Sequence, residues 1–425
     1  MGWNSWNSYG TTVTEAEVLA NARVLRERLL PLGWDTVVVD IAWYDPIARA
    51  HGYNDNAPLE LDDHGRLMPV VARFPSAEGG AGFGPLAAEL HEMGLKFGIH
   101  VMRGIPRRAV DLDLPILGTR WTAREIADHD HVCPWNPDNF GLDHDHPGAQ
   151  AYYDAQIAQY ARWGVDYLKV DDMLAPYHEQ EIEAFARAVR RSGRAMTLSL
   201  SPGTRLSTRH IPHLRANAHL WRISDDVWDL WSDIESQFAR LARWVAFQQP
   251  GGWADADMLP LGRIGLRAER GEPRISRLSV DEQKTMLTLW AMARSPLMMG
   301  GDLPTSDDST LGRLANPMLR ELLMQSTGNG EVLREPLDDG ELIVWAARSA
   351  AEPRHYAALF STATRTVEVE VAITSITGMT ADHEWQLTDA WDASPPPMIA
   401  GEAICVTIPP HGVRWLALDP ECKQH

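Results

Sequence analysis

Short apolar runs that end on a carboxylate recur along this chain, and they leave few folds open to it. The plainest is Tyr167-Leu168-Lys169-Val170-Asp171-Asp172, which follows the turn signal at Trp163-Gly164. The run is too short and too bulky for a surface strand, so it reads as a strand buried on both faces. A buried strand interrupted by Lys169 and closed by Asp171 makes sense where those charges point into a site. Three more segments share the habit: Thr36–Trp43 (TVVVDIAW) carries Asp40, Leu220–Asp226 (LWRISDD) carries Arg222 and Asp226, and Gly251–Leu259 (GGWADADML) carries Asp255 and Asp257. Leu95–Met102, Ala195–Leu200 and Pro296–Asp302 complete the strand-like set.

Helical stretches fall between them. Thr14-Glu15-Ala16-Glu17 is a capping-box pattern that opens a helix to about Leu30. Further helices are expected near Pro85–Met93, Ala149–Trp163, 178–191, Trp228–Phe247 and Val280–Arg294. About eight strand–helix alternations predict an α/β fold, a closed parallel (β/α)8 TIM barrel, whose C-terminal strand ends carry the chemistry. A doubly wound sheet is the alternative, but no Gly-rich phosphate loop follows the first strand. Ser326–Gly330 (STGNG) has linker chemistry. From Glu331 the segments ELIVWAAR, HYAALFS, TVEVEVAI, AICVTIP and VRWLAL lose the helical period and predict a small C-terminal antiparallel β-sandwich. The expected division is a catalytic barrel over 1–327 and a β domain over 331–425.

The formal net charge of −19 argues against nucleic acid or an anionic membrane as partner. The 17 Trp residues are a heavy load, used for core packing or for stacking on sugar rings. Cys133, Cys405 and Cys422 are odd in number and far apart, so no disulfide framework is implied. No stretch approaches the roughly 20 apolar residues of a membrane span. No signal peptide precedes Met1-Gly2-Trp3, which reads as a cytoplasmic chain, or as a secreted or periplasmic one if a leader was trimmed.

No Cys or Ser nucleophile has a His partner in a recognisable motif, so the legible chemistry is carboxylate chemistry. Two carboxylates facing each other across a barrel mouth suit glycoside hydrolysis, one attacking or activating water and the other protonating the leaving oxygen. The rival reading is a metal site at Asp128–Cys133 (DHDHVC) and Asp143–His146 (DHDH), but neither has the spacing of a zinc motif. No metal and no cofactor is therefore expected.

Met1-Gly2-Trp3-Asn4-Ser5-Trp6 resembles the opening of glycoside hydrolase family 27, the α-galactosidase or melibiase family. The similarity continues in family order through VVVDIAW, GRLMPVVARFPS, LHEMGLKFGIH, WGVDYLKVD, WRISDD, GGWADADML and LWAMARSPLMMGGDL, over nearly all of residues 1–305. The resemblance implies a (β/α)8 barrel with a C-terminal antiparallel domain. It places the nucleophile on Asp171, with Asp172 as the competing choice, and the acid/base on Asp226 rather than Asp225. It also implies that Lys169 and Arg222 contact sugar hydroxyls, that Trp6 forms an apolar wall under the ring, and that Asp40 accepts hydrogen bonds from the terminal sugar. Ser201 and Asp257 complete the expected substrate-binding set.

Two departures bear on specificity. The family usually has paired acids after its second strand, whereas here Asp40 is followed by Ile41. An apolar wall there favours a different substituent pattern. After the fifth strand, a Cys-Glu-Trp type segment that reads the 2-hydroxyl is replaced by Ser199-Leu200-Ser201-Pro202-Gly203. Arg103, with His100 nearby, adds positive charge that either binds a carboxylate-bearing sugar or balances the aspartates. The expected activity is a retaining exo-glycosidase on terminal α-D-galactosides. The alternatives are the same mechanism on an α-N-acetylgalactosaminide or β-L-arabinopyranoside, or an inactive sugar-binding barrel. The expected partner is a carbohydrate, and the oligomeric state is left open.

Overall fold

The computed structural model describes residues 1–54, 56–379, 384–392 and 398–420. By compactness the chain forms two units that interleave in sequence. Met1–Trp228, Pro250–Ser276 and Met298–Asp307 make up the first; Asp229–Gln249, Arg277–Leu297 and the chain from Asp308 onward make up the second.

The first unit holds eight parallel strands: β1 (Gly2–Asn4), β2 (Thr36–Val39), β3 (Lys96–Met102), β4 (Tyr167–Asp171), β5 (Thr197–Leu200), β6 (Leu220–Arg222), β7 (Trp253–Asp255) and β8 (Met298–Met299). They pair in chain order from β1 to β7, and β8 pairs with β1. A parallel bridge from Leu259 to Met299, with Leu259 N donating to Met298 O at 2.8 Å, closes β7 onto β8. The expected barrel is therefore present, with each strand shorter than its apolar run. β1 is an addition, since the sequence reading took it only as an apolar start; three residues are too few to show a period.

Helices α1 (Glu15–Val24), α2 (Gly84–Glu92), α3 (Pro147–Trp163), α4 (Glu179–Ser192) and α5 (Ile211–Asn217) lie between the strands of this unit. The Thr14–Glu17 capping box forms at the start of α1. α3 stops at Gly164, whose φ of 86° is the left-handed conformation that glycine tolerates best. α4 buries Ile182, Phe185, Ala186 and Val189, one face of a 3.6-residue period. The stretch 104–146 carries a three-stranded antiparallel sheet of Ile105–Pro106, Ala127–Val132 and Asn139–Leu142. Its Ala127–Val132 strand is largely exposed Asp and His, so no hydrophobic alternation marks it.

The second unit contains helices α6 (Trp231–Trp244) and α7 (Val280–Met292). It also contains β9 (Ser326–Pro336), β10 (Glu341–Ser349), β11 (His355–Ser361), β12 (Val367–Ala372), β13 (Trp385–Asp389), β14 (Met398–Ala400), β15 (Ala403–Ile408) and β16 (Val413–Pro420). Six of these form one antiparallel sheet, and β12 pairs with β15 in a second. Leu342, Val344 and Leu416 from the larger sheet and Val371, Ile404 and Ile408 from the smaller share one core, which makes this a sandwich. Ser326–Gly330 is not a linker: it opens β9 and pairs with β10 across a register shift between Thr327 and Gly330. Cys133 and Cys405 are free, and Cys422 lies outside the described residues.

Candidate active site

The barrel register sets the β3–β4 side of the mouth. His100 is paired with Lys169 and Met102 with Asp171. His100 Nε2 lies 3.1 Å from Asp171 Oδ2, and a carboxylate only accepts, so the proton belongs on Nε2. Lys169 Nζ donates to Asp40 Oδ2 at 2.9 Å, and Asn4 Nδ2 donates to the same oxygen at 2.7 Å. Burial pushes Asp171 up, but the His100 hydrogen bond and the charges of His100 and Lys169 outweigh it and hold the carboxyl well below the usual range. Asp40 is likewise held down against its burial, chiefly by Lys169. Burial lowers Lys169, yet Asp40 and Asp171 raise it above its ordinary value. Asp40 and Asp171 are thus both held ionised.

Asp171 and Asp172 part ways at the end of β4. Asp172 sits at φ 59° and pairs with Arg103, Nη2 to Oδ2 2.8 Å, in a buried ion pair. Arg103 Nε also donates to the Asp172 carbonyl at 3.0 Å. Arg103 thus balances an aspartate instead of standing free for a carboxylate-bearing sugar. Burial and the charge of Asp171 push Asp172 up to about 6 against the pull of Arg103.

The opposite side is built on β6 and β7, where Arg222 is in register with Asp255. Arg222 Nη2 donates to Asp226 Oδ1 at 3.1 Å and Nη1 meets Asp257 Oδ1 at 2.9 Å. The Asp226 side chain keeps 31% of its surface exposed, against 14% for Asp171. Trp6 Nε1 donates to Asp226 Oδ2 at 3.2 Å. Asp257, expected to contact substrate, has its two oxygens occupied: Val227 N donates to Oδ2 at 2.7 Å and Arg222 holds Oδ1. The structure makes it a support for Arg222 and for the segment carrying Asp226. Burial and the negative charge of Asp226 push the Asp257 carboxyl up, opposed by Arg222.

Ser201 is buried after β5, and its hydroxyl finds no hydrogen-bond partner among the described residues. Gly203 explains part of the departure there: a Cβ on it would stand 1.6 Å from the Arg222 carbonyl oxygen, so only glycine lets this turn lie against β6. Ile41 is buried beside Asp40, with its amide donating to Asp40 Oδ1 at 2.9 Å. Sequence reasoning missed Asn4, because β1 was not recognised as a strand. It also missed Tyr53, which stacks on Trp6 with ring centroids 5.6 Å apart and sits in a stretch with no periodic signal.

The His-Asp stretches go elsewhere. His131 pairs with Asp128 at 2.6 Å, His144 faces Glu181 at 3.2 Å, and His146 caps α3. Among the described residues, the ligand atoms that gather within 4.8 Å of one another belong instead to Glu179, Glu183 and His213.

Comparison with known proteins identifies the family. The family model described as alpha galactosidase A matches residues 142–318. A β-L-arabinopyranosidase from Geobacillus stearothermophilus is 42% identical, with 100% of this chain and 97% of that chain covered and a TM-score of 0.95. A Bacillus halodurans protein provisionally assigned as an α-N-acetylgalactosaminidase is 41% identical over 99% of this chain and 97% of its own, with a TM-score of 0.88. An α-galactosidase from Cyamopsis tetragonoloba is 25% identical over 99% of this chain and 86% of its own length. No helix among the described residues is long and apolar enough to cross a membrane. With a barrel, a C-terminal sandwich and full-length likeness above 40% to an enzyme of that family, the chain is a glycoside hydrolase and belongs to glycoside hydrolase family 27.

Proposed function

We propose that the protein is a retaining exo-glycosidase whose preferred substrate is a terminal β-L-arabinopyranoside. Asp171, kept ionised by His100 and Lys169, attacks the anomeric carbon while Asp226 gives its proton to the leaving oxygen. The carbon–oxygen bond breaks and a glycosyl ester forms on Asp171. In the second step Asp226 takes a proton from water, the water oxygen bonds to the anomeric carbon, and the ester breaks to free Asp171. Two inversions give net retention, which needs the two carboxyl groups about 5–5.5 Å apart. Asp40 and Lys169 hold the sugar's hydroxyls, and Ser201 offers its unpartnered hydroxyl to another.

The glycone choice is carried by Ile41. An L-arabinopyranose ring matches galactopyranose except that it lacks the exocyclic hydroxymethyl group. A buried isoleucine beside Asp40, in place of a second acid, gives that group's hydroxyl no partner and favours the ring without it. The 42% identity to a β-L-arabinopyranosidase supports the same choice. The sequence reading put the α-D-galactoside first, and the 25% likeness to an α-galactosidase keeps it as the second reading.

The test is hydrolysis of aryl β-L-arabinopyranoside, α-D-galactoside, α-N-acetylgalactosaminide and α-galacturonide, with Asp171→Asn as control. The arabinopyranoside is expected fastest, and Ile41→Asp should move the ratio toward the galactoside by at least about tenfold. A wild-type preference for the galactoside would overturn the glycone assignment, and retained turnover in Asp171→Asn would overturn the mechanism.

A further inference from the structure

The sugar that is cleaved has a place in this site, but the leaving group has none so far. Proton transfer from Asp226 requires the glycosidic oxygen within hydrogen-bond reach of its carboxyl, so the leaving group extends outward from Asp226. Three aromatic rings follow one another in contact from Asp226. Trp6, 3% exposed, is tied by its indole N–H to Asp226. Tyr53 stacks on Trp6, centroids 5.6 Å apart and planes inclined by 30°. Burial, then the charges of Asp226 and Asp171, push the Tyr53 hydroxyl up. Trp135 follows Tyr53 with centroids 5.9 Å apart at 57°, and it is 39% exposed.

Exposure thus rises along the row from the buried Trp6 to the rim. Trp135 lies between the strands Ala127–Val132 and Asn139–Leu142 of the small sheet, outside the stretches that carry the family resemblance. A large ring left 39% exposed, next in contact after two rings that lead to the acid, calls for a ligand face to cover it. Sugar rings and aryl groups both offer such a face.

We infer that Tyr53 and Trp135 form the platform for the leaving group, and that it selects leaving groups containing a ring, a second sugar or an aryl group, over those without one. The inference rests on the reading of Asp226 as proton donor. It is tested by comparing three substrates of one glycone: the glycosyl fluoride, the 4-nitrophenyl glycoside and a disaccharide. In Trp135→Ala the loss of kcat/KM on the two ring-bearing substrates should exceed the loss on the fluoride roughly five- to tenfold, mostly through KM, and Trp135→Phe should recover most of it. Each ratio is read on one enzyme preparation, so any unfolded fraction cancels. Equal losses on all three substrates would overturn the platform, as would no loss on either ring-bearing one. The comparison runs on whichever glycone the wild type turns over, so an error in the glycone shows in the wild-type rates and leaves this result intact.

Discussion

The two sides of the barrel mouth handle buried carboxylates in opposite ways. On the β4 side, Asp171 and Asp40 are met by His100, Lys169 and Asn4, and both are held ionised despite their burial. On the β6 side, the guanidinium of Arg222 is divided between Asp226 and Asp257, and Asp255 lies in register beside it. Burial pushes both Asp255 and Asp257 up there. A site rich in donors suits a nucleophile, which must carry charge before it attacks. The two sides differ in how much positive charge each strand end brings, not in the type of acid, since every member is an aspartate.

The strongest way to break this division is to remove each acid in turn. Asp171→Gly should lower turnover about 10⁴-fold or more, and added azide should give a glycosyl azide of inverted configuration. Asp226→Ala should lose roughly 10²–10⁴-fold, least with good leaving groups, and azide should give the retained product. Product configurations found the other way round would exchange the two roles.

The shortage of cations on the β6 side is sharpened by stability measurements. Arg222→Met leaves Asp257 buried without its cation, and a loss of about 3–5 kcal/mol in urea unfolding is expected. Lys169→Met should cost less, because Lys169 is paired with one carboxylate, Asp40, whereas Arg222 is paired with two. Equal losses would show that the two sides are not differently supplied.

The smallest effect concerns Asp172, next in sequence to the proposed nucleophile but turned to a different partner. Its carboxyl rises from 3.8 to about 6 on folding. Between those values the folded chain holds a proton that the unfolded chain has released, so this group makes stability fall as pH rises from about 4 to 6. Asp172→Asn should flatten that fall by roughly 1–3 kcal/mol, read from denaturant midpoints across the window. An unchanged slope would mean that the Arg103 pair, and not burial, governs Asp172.

Much of this arrangement is legible in the linear chain because it is set by local pattern. Buried strands of period two ending in Asp, capping boxes such as Thr14–Glu17, and the change of texture after residue 330 all follow from how each segment meets water. The strand-end aspartates follow from the barrel itself, whose strand ends converge on one mouth. Where local pattern was silent or misleading, expectation failed: β1 is too short to show a period, the Asp-His strand has no apolar face, and STGNG is held in a strand by its partner β10. Sequence alone thus determined the barrel, the sandwich and the candidate acids. Only the tertiary structure decided which charge neutralises which: Arg103 takes Asp172, Asp257 is spent on Arg222, and Trp6, Tyr53 and Trp135 are brought to follow one another in contact. Those pairings join residues tens of positions apart, and a pair interaction that falls off within a few ångströms has no trace in the spacing of either partner along the chain.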